Sequence, residues 1–275
     1  MHFVKLHRFG EIEALELGYG PHWKPPLTVH LYRVGDLMID SGQRHMARAA
    51  RQFFHRCRTQ RLLLTHHHED HSGNAALAKR ELGVEVLAPP LAIPKLARGF
   101  AILPYQHLAW GLMPPVEARP VPALVEGERA TLRPIHTPGH SKDHTVYLET
   151  ERGWLFSGDL YLGDRIKVFR SDERIEQQIE SLRAVLGEEF DTLLCAHRPQ
   201  LSDGRAHLRA KLAFLEDFVG QVARLRAGGD DEQAILRRLK GRRDTWFWLI
   251  SGGNVSFANM VRSALRAIGG AAPIA

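Results

Sequence analysis

Arg61-Leu62-Leu63-Leu64-Thr65-His66-His67-His68-Glu69-Asp70-His71-Ser72-Gly73-Asn74 is the stretch whose reading decides the fold. The leucine run reads as a short buried strand, and it runs straight into four histidines and two carboxylates within six residues. Imidazole with carboxylate suits zinc, and also iron or manganese. If the backbone stays extended past Leu64, side chains alternate in direction, so His66 and His68 face one side and His67 the other. Two imidazoles on one side can share a cation. Asp70 and His71 follow where Ser72-Gly73-Asn74 lets the chain turn toward a helix, placed to hold a second cation close by. The segment is internal, between a strand and a helix, which argues against a histidine-rich surface tract or a tag.

The same alternation continues outward. Upstream, strand character runs from Phe3 to Leu17 around Gly10, from Leu27 to Val34, and over Leu37–Asp40 after a Gly35-Asp36 turn. Residues 43–58 read as a helix. Downstream, 75–82 reads as a helix ended by Gly83, and 84–88 as a strand. Residues 89–125 carry eight prolines with Tyr105 and Trp110 between them, which prevents long regular elements and suits a lid or substrate-binding insertion. Strands return at 130–135, 145–148, 154–156 and 192–196, with a helix at 173–186. Helical patterns at 205–226, 231–240 and 255–267 close the chain. Interleaved strands and helices followed by a helical tail give an α/β core over 1–203 and a helical C-terminal subdomain over 204–275. Trp246, Phe247 and Trp248 read as core packing, with lining of a substrate cleft as the alternative.

A centre that begins at His66 needs ligands from elsewhere. Thr137-Pro138-Gly139-His140 fixes a tight loop that presents His140. Ser157-Gly158-Asp159 follows a strand and offers a carboxylate able to bridge two cations. Cys195-Ala196-His197-Arg198-Pro199 offers His197 at the end of an apolar strand. Each is weak alone; together, in this order, they are strong.

In these motifs the sequence resembles the metallo-β-lactamase superfamily. The family's His-x-His-x-Asp-His motif is matched by His66, His68, Asp70 and His71, and its later His, Asp and His by His140, Asp159 and His197. Asp40, in Ile39-Asp40-Ser41-Gly42, matches its early strand-end Asp. The resemblance spans roughly residues 12–200 and implies an αββα four-layer sandwich with the site at one edge of its two sheets. It implies that His66, His68 and His140 hold one metal, that Asp70, His71 and His197 hold another, and that Asp159 bridges them. Asp70 and Asp40 are the candidate catalytic carboxylates, Asp70 as a ligand that orients water and accepts its proton, Asp40 by orienting a ligand rather than binding metal. Arg198, Tyr161 and His144 are the candidate substrate-side residues, His144 in a supporting hydrogen-bond role. Within the superfamily the stretch from Thr137 to Phe169 is similar to the lactamase-β-like and glyoxalase II-type hydrolases. Those groups usually carry Gly where this chain has Arg198, which leaves the substrate open.

The bulk properties narrow the setting. The chain has 275 residues, 44% hydrophobic and 25% charged, as in an ordinary globular protein. No apolar run reaches the roughly 18–20 residues that cross a bilayer. No basic segment leads into an apolar one at the start, and only Cys57 and Cys195 are present, so a cytoplasmic protein with two reduced thiols is expected. The net charge of +6 and the basic run at 237–243 permit an anionic partner, with a solvated helix face as the plainer reading. The expected function is a dinuclear hydrolase whose two cations, zinc first, activate a bridging hydroxide that cleaves an ester, thioester or related bond. The alternatives are an endoribonuclease or phosphodiesterase of the lactamase-β-like type, an iron-dependent persulfide dioxygenase, and a binding scaffold with a vestigial site. The expected partner is a small-molecule substrate, with RNA as the alternative, no membrane, and a homodimer allowed.

Overall fold

The computed structural model describes residues 2–20, 25, 27–239 and 245–270, apart from the side chains of 245–247 and 270. Two sheets stack face to face. The first is built in chain order from β1 (His2–Phe9), β2 (Ile12–Tyr19), β3 (Val29–Val34), β4 (Leu37–Ile39), β5 (Arg61–Leu63), β6 (Glu85–Ala88) and β7 (Arg119–Pro120). It is antiparallel up to β4 and parallel from β4 to β7. The second contains β8 (Val125–Glu126), β9 (Thr131–His136), β10 (Thr145–Glu149) and β11 (Trp154–Gly158). After β12 (Phe169–Arg170), which pairs elsewhere, the chain returns to this sheet as β13 (Thr192–Cys195), parallel to β11. β14 (Val255–Ser256) pairs antiparallel with β12.

The period-two alternation of a strand assigns each residue to a layer. Leu37, Ile39, Leu63, Tyr147, Phe156 and Leu194 point between the sheets and form the central core. Their neighbours point outward. Met38, Leu62 and Leu64 meet the first helical layer, α1 (Ala47–Cys57) and α3 (Ala75–Leu82). Val146, Leu148, Leu155 and Leu193 meet the second layer. That layer contains α6 (Ile175–Leu186), α7 (Gly204–Ala227), α8 (Glu232–Arg238) and, after α9 (Thr245–Ile250), α10 (Phe257–Gly270). The result is the αββα sandwich. Two short helices completing the set, α4 (Ile93–Arg98) and α5 (Pro104–Trp110), lie in the proline-rich segment, and α2 (Glu69–Ser72) lies within the histidine loop.

Most expected elements fall within one or two residues of their places. The helix expected over 43–58 starts later, because Arg44–Met46 is a 3₁₀ turn before α1. Cys57 and Cys195 are buried and unpaired. Among the described residues no helix is long and apolar enough to cross a membrane. Of the basic run at 237–243, residues 240–243 lie outside the described residues, and Arg238 pairs with Asp230 at 2.8 Å. The side chains of Trp246 and Phe247 also lie outside them, and Trp248 is about half exposed.

The expected boundary at 203 falls where Asp203, at φ 57°, hands over to Gly204 at the start of α7. The core runs across it: Leu208, Leu215, Phe218, Val222, Met260, Val261 and Ala264 belong to the same cluster as the outer face of the second sheet. Lys211 of α7 is fully buried, and its Nζ donates to the Leu160 carbonyl at 2.6 Å, fixing the loop that follows β11. Burial pulls its ammonium pKa down to about 8, so at neutral pH it is still largely a cation that this carbonyl serves.

Truncation after residue 203 would bare this face and remove the Lys211 bond. The fragment is expected to be insoluble or to melt without cooperativity, and Leu215→Ala in the full chain to lower unfolding stability by about 2–5 kcal/mol. Denaturant unfolding checks both, and a cooperative 1–203 fragment would contradict this account.

Candidate metal centre

The candidate site residues gather where strands end. Asp40 follows β4 and His66 lies just beyond β5, at the carboxyl ends of two parallel strands, where open α/β sheets present their sites. Asp159 follows β11 and His197 follows β13, again parallel neighbours. His140 sits in the connection between β9 and β10. The two sheets therefore bring their loops to one edge of the sandwich.

The side chains form two triads. His66 Nε2 lies 2.8 Å from His68 Nδ1, and His140 Nε2 lies 3.0 Å from the same atom. In the other triad, Asp70 Oδ2 lies 3.8 Å from His71 Nε2 and 3.5 Å from His197 Nε2. Asp159 stands between them: its Oδ2 is 3.2 Å from His140 Nε2, while its Oδ1 is 3.4 Å from His71 Nε2 and 3.3 Å from His197 Nε2. His71 Nε2 and Asp159 Oδ1 are buried with no hydrogen-bond partner. Leaving such groups unsatisfied costs about 1–3 kcal/mol each, and a cation between them would remove that cost. The donor set, nitrogens plus carboxylate oxygens, fits a divalent metal.

The electrostatics separate the triads. Burial, reinforced by neighbouring imidazoles, pushes His66 and His68 well below the usual histidine range, so both are neutral and offer lone pairs. Burial acts the same way on His71 and His197, but the Asp159 and Asp70 carboxylates outweigh it and raise both. Burial would raise Asp159, yet His197, His71 and His140 hold it well below the carboxylate range. The carboxylates therefore favour protons on His71 and His197.

Supporting bonds fix the tautomers. Asp40 is buried at φ 61°, a left-handed conformation that costs a non-glycine residue energy and tends to persist at functional sites. Its carboxylate accepts from the Thr65 amide at 2.8 Å, the Thr65 hydroxyl at 2.9 Å and His71 Nδ1 at 2.7 Å. His71 Nε2 is thereby left to face the centre. His197 Nδ1 donates to the Thr28 carbonyl at 2.6 Å with the same effect. Gly158 is required: at φ 47°, an added Cβ would fall 2.8 Å from His144 Nε2 and 3.0 Å from Thr65. The register slips at Gly158, a bulge that re-aims the following Asp159.

His67 points away from the triads, as alternation requires. Its Nδ1 donates to Asp143 Oδ1 at 2.8 Å, Lys95 Nζ donates to its Nε2 at 2.9 Å, and its amide donates to Asp143 Oδ2 at 2.8 Å. Glu69 is also turned aside, accepting from Gln106 of α5 at 3.1 Å. The substrate-side placement of two residues is corrected. His144 is fully buried with both nitrogens used: Nδ1 donates to Thr137 Oγ1 at 2.8 Å and Nε2 accepts from the Asp159 amide at 3.0 Å. It has no atom left for a substrate, and its supporting hydrogen bond positions Asp159. Tyr161 is buried in the outer core, and its hydroxyl donates to Asp164 at 2.7 Å beside His207 of α7, so it too is engaged internally. Arg198 is exposed.

Several contributors carried no sequence signal. Thr65 and Asp143 act through contacts between distant segments. Glu173 lies 3.7 Å from His140 Nδ1 and receives a bond from Gln178 at 2.6 Å. The 89–125 segment roofs the histidine loop: Phe100 meets the His67 ring at 4.9 Å, and Tyr105 donates to Asn254 at 2.7 Å.

Residues 33–197 match the sequence profile of the metallo-beta-lactamase superfamily, and the chain belongs to that superfamily. It is 27% identical over 186 residues to the lactamase-like protein notP of Aspergillus sp. (strain MF297-2), covering 66% of this chain and 50% of that protein. It is 32% identical over 160 residues to an atrochrysone carboxyl ACP thioesterase of Aspergillus fumigatus, covering 54% of this chain and 42% of that one. The chain spans about half the length of these relatives or less. Its fold is similar to that of a metallo-beta-lactamase family protein from Thermus thermophilus, with a TM-score of 0.68, 20% identity and 94% of each chain covered.

Because His71 and His197 are raised, cation binding must displace protons there. Apparent zinc affinity should therefore fall as pH drops, beginning above the ordinary histidine value of about 6.5. Asp40→Asn should weaken zinc binding about 10–100-fold by releasing His71. Competition titrations with a chromophoric chelator between about pH 6 and 8.5 test both, and a flat pH profile would refute the protonation scheme.

Proposed function

We propose that the protein is a dinuclear metal-dependent hydrolase that cleaves a thioester or a related ester of a small-molecule substrate. The observation that carries this reading is Asp159, whose two oxygens face separate triads at 3.2 Å on one side and 3.3–3.4 Å on the other. His66, His68 and His140 would hold one cation, and Asp70, His71 and His197 the other, with Asp159 shared. Zinc suits the set best, while iron and manganese suit the same donors. Bound there, divalent cations lower the pKa of water toward neutrality and stabilise negative charge developing on a substrate oxygen.

The chain's own residues do the rest. Asp70 faces His71 and His197, placed to orient water and accept its proton. Asp40 and Thr65 hold His71 and His66 in register, Thr65 Oγ1 lying 3.0 Å from His66 Nδ1. Lys95, His67 and Asp143 clamp the loop backbone from its outer side. One wall beside the loop is built from Tyr105, Asn254 and Ser171, joined by hydrogen bonds of 2.7 and 2.9 Å. Arg170, next in sequence to Ser171, adds a positive charge that acts on His68 and Glu69. The thioester preference draws support from the relative named as an ACP thioesterase.

His68→Ala and Asp70→Ala should each lose bound metal and lower kcat/KM by about 10²-fold or more. Metal analysis of the purified protein, with a panel of thioester, ester, lactone and phosphodiester substrates, tests the reading. Turnover retained in either variant, or phosphodiesters outpacing every acyl substrate, would overturn it.

A further inference from the structure

A second group of metal-ligating side chains stands outside the centre described above. Glu16 on β2 is paired directly with His30 on β3, and His7 on β1 is paired with Ala14. Ala14 and Glu16 share a face of β2, so the strand pleat brings His7, Glu16 and His30 together on that face. His7 Nε2 lies 2.8 Å from Glu16 Oε2, and His30 Nε2 lies 3.8 Å from the same oxygen. The two imidazole rings are 5.5 Å apart. The side chains are 19%, 13% and 5% exposed, enclosed on the protein side and open on one.

Two of the three are already oriented as ligands. His30 Nδ1 donates to the Ala196 carbonyl at 2.9 Å, which leaves Nε2 as a lone pair aimed at Glu16. Glu16 Oε1 accepts from the Thr28 hydroxyl at 2.7 Å, which leaves Oε2. A histidine whose second nitrogen donates to a backbone carbonyl, beside a carboxylate held by its own hydrogen bond, is the arrangement that fixes metal ligands. A proton on His7 satisfies Glu16 but leaves His30 Nε2 facing the carboxylate oxygen with no proton between them. The three ligand atoms lie within 4.8 Å of one another, as do those of His66, His68 and His140. Burial lowers His30 and favours its neutral form, while the Thr28 and His7 hydrogen bonds outweigh burial and keep Glu16 ionised.

We propose that His7, Glu16 and His30 bind an additional divalent transition cation such as zinc, with water completing a tetrahedral shell. The site is independent of the dinuclear reading but adjoins its edge. Thr28, which braces Glu16, also takes the His197 Nδ1 bond through its carbonyl at 2.6 Å. Ala196, which orients His30, accepts the His30 amide at 2.6 Å and immediately precedes His197. A cation on this face would therefore brace the junction of β3 and β13 that carries His197, in a structural role.

Native mass spectrometry of the full chain reconstituted with zinc tests this. Glu16→Gln, which keeps an oxygen for Thr28, and His7→Ala, on the partly exposed β1, should each hold one zinc fewer than wild type. Both variants should keep the metal of the dinuclear centre, since neither residue is among its candidate ligands. His68→Ala should lose zinc only from the dinuclear centre, so failure of either assignment is visible separately. In the wild type, zinc should also shift the imidazole nitrogen resonances of His7 and His30. Equal zinc content in wild type and both variants, or unshifted resonances, would overturn the proposal.

Discussion

Five imidazoles and two carboxylates are crowded at one edge of the sandwich, six of them buried and His197 nearly so, and the surrounding structure is arranged around that desolvation. Burying such groups without partners is costly, and like-charged imidazoles within hydrogen-bond distance cannot all be protonated. The fold divides the problem. At His66 and His68, burial removes protons and leaves lone pairs. On the Asp70–His71–His197 side, the carboxylates retain them. Asp159 touches both sides and is the group through which they balance.

Rigidity is what keeps this arrangement from relaxing. Asp40 sits in a strained left-handed conformation because three donors hold its carboxylate. Gly158 supplies the backbone turn that no side chain would fit, and His144 ties the Asp159 amide to Thr137. Lys211, far along the chain in α7, fixes the next loop residue through the Leu160 carbonyl. The outer helices thus take part in the geometry of the centre, which is why a boundary at 203 separates elements but not cores.

Much of this is legible in the sequence because the relevant signals are local. Leu62-Leu63-Leu64 followed by alternating histidines dictates both a strand and the sides its ligands face, and the later His140, Asp159 and His197 each follow a recognisable loop or strand end. What the sequence does not reveal depends on contacts between distant segments. Asp143 meets His67 across 76 residues, and Tyr105 meets Asn254 across 149. Nothing in the local pattern around either residue marks such a partner. Tyr161 departs from expectation for the same reason: its type suits substrate contact, but its hydroxyl is consumed by Asp164, while the bonds of His144 to Thr137 and the Asp159 amide leave it a supporting role only.

The division between ligands and wall bears on specificity. Every residue of the two triads lies within the stretch that matches the superfamily, which ends at His197. Asn254 lies beyond it, carried by the segment between α9 and β14, and reaches back to Tyr105 of the proline-rich roof and to Ser171 beside Arg170. The pairing of β12 with β14, through Arg170 and Val255, sets that reach. In the proposed function, water activation would fall to the shared part of the chain, while the less regular 89–125 segment and the segment before β14 would form one wall beside it. Under the proposed hydrolase reading, changes in either segment would alter substrate fit without moving a triad residue, because the two segments meet through single hydrogen bonds.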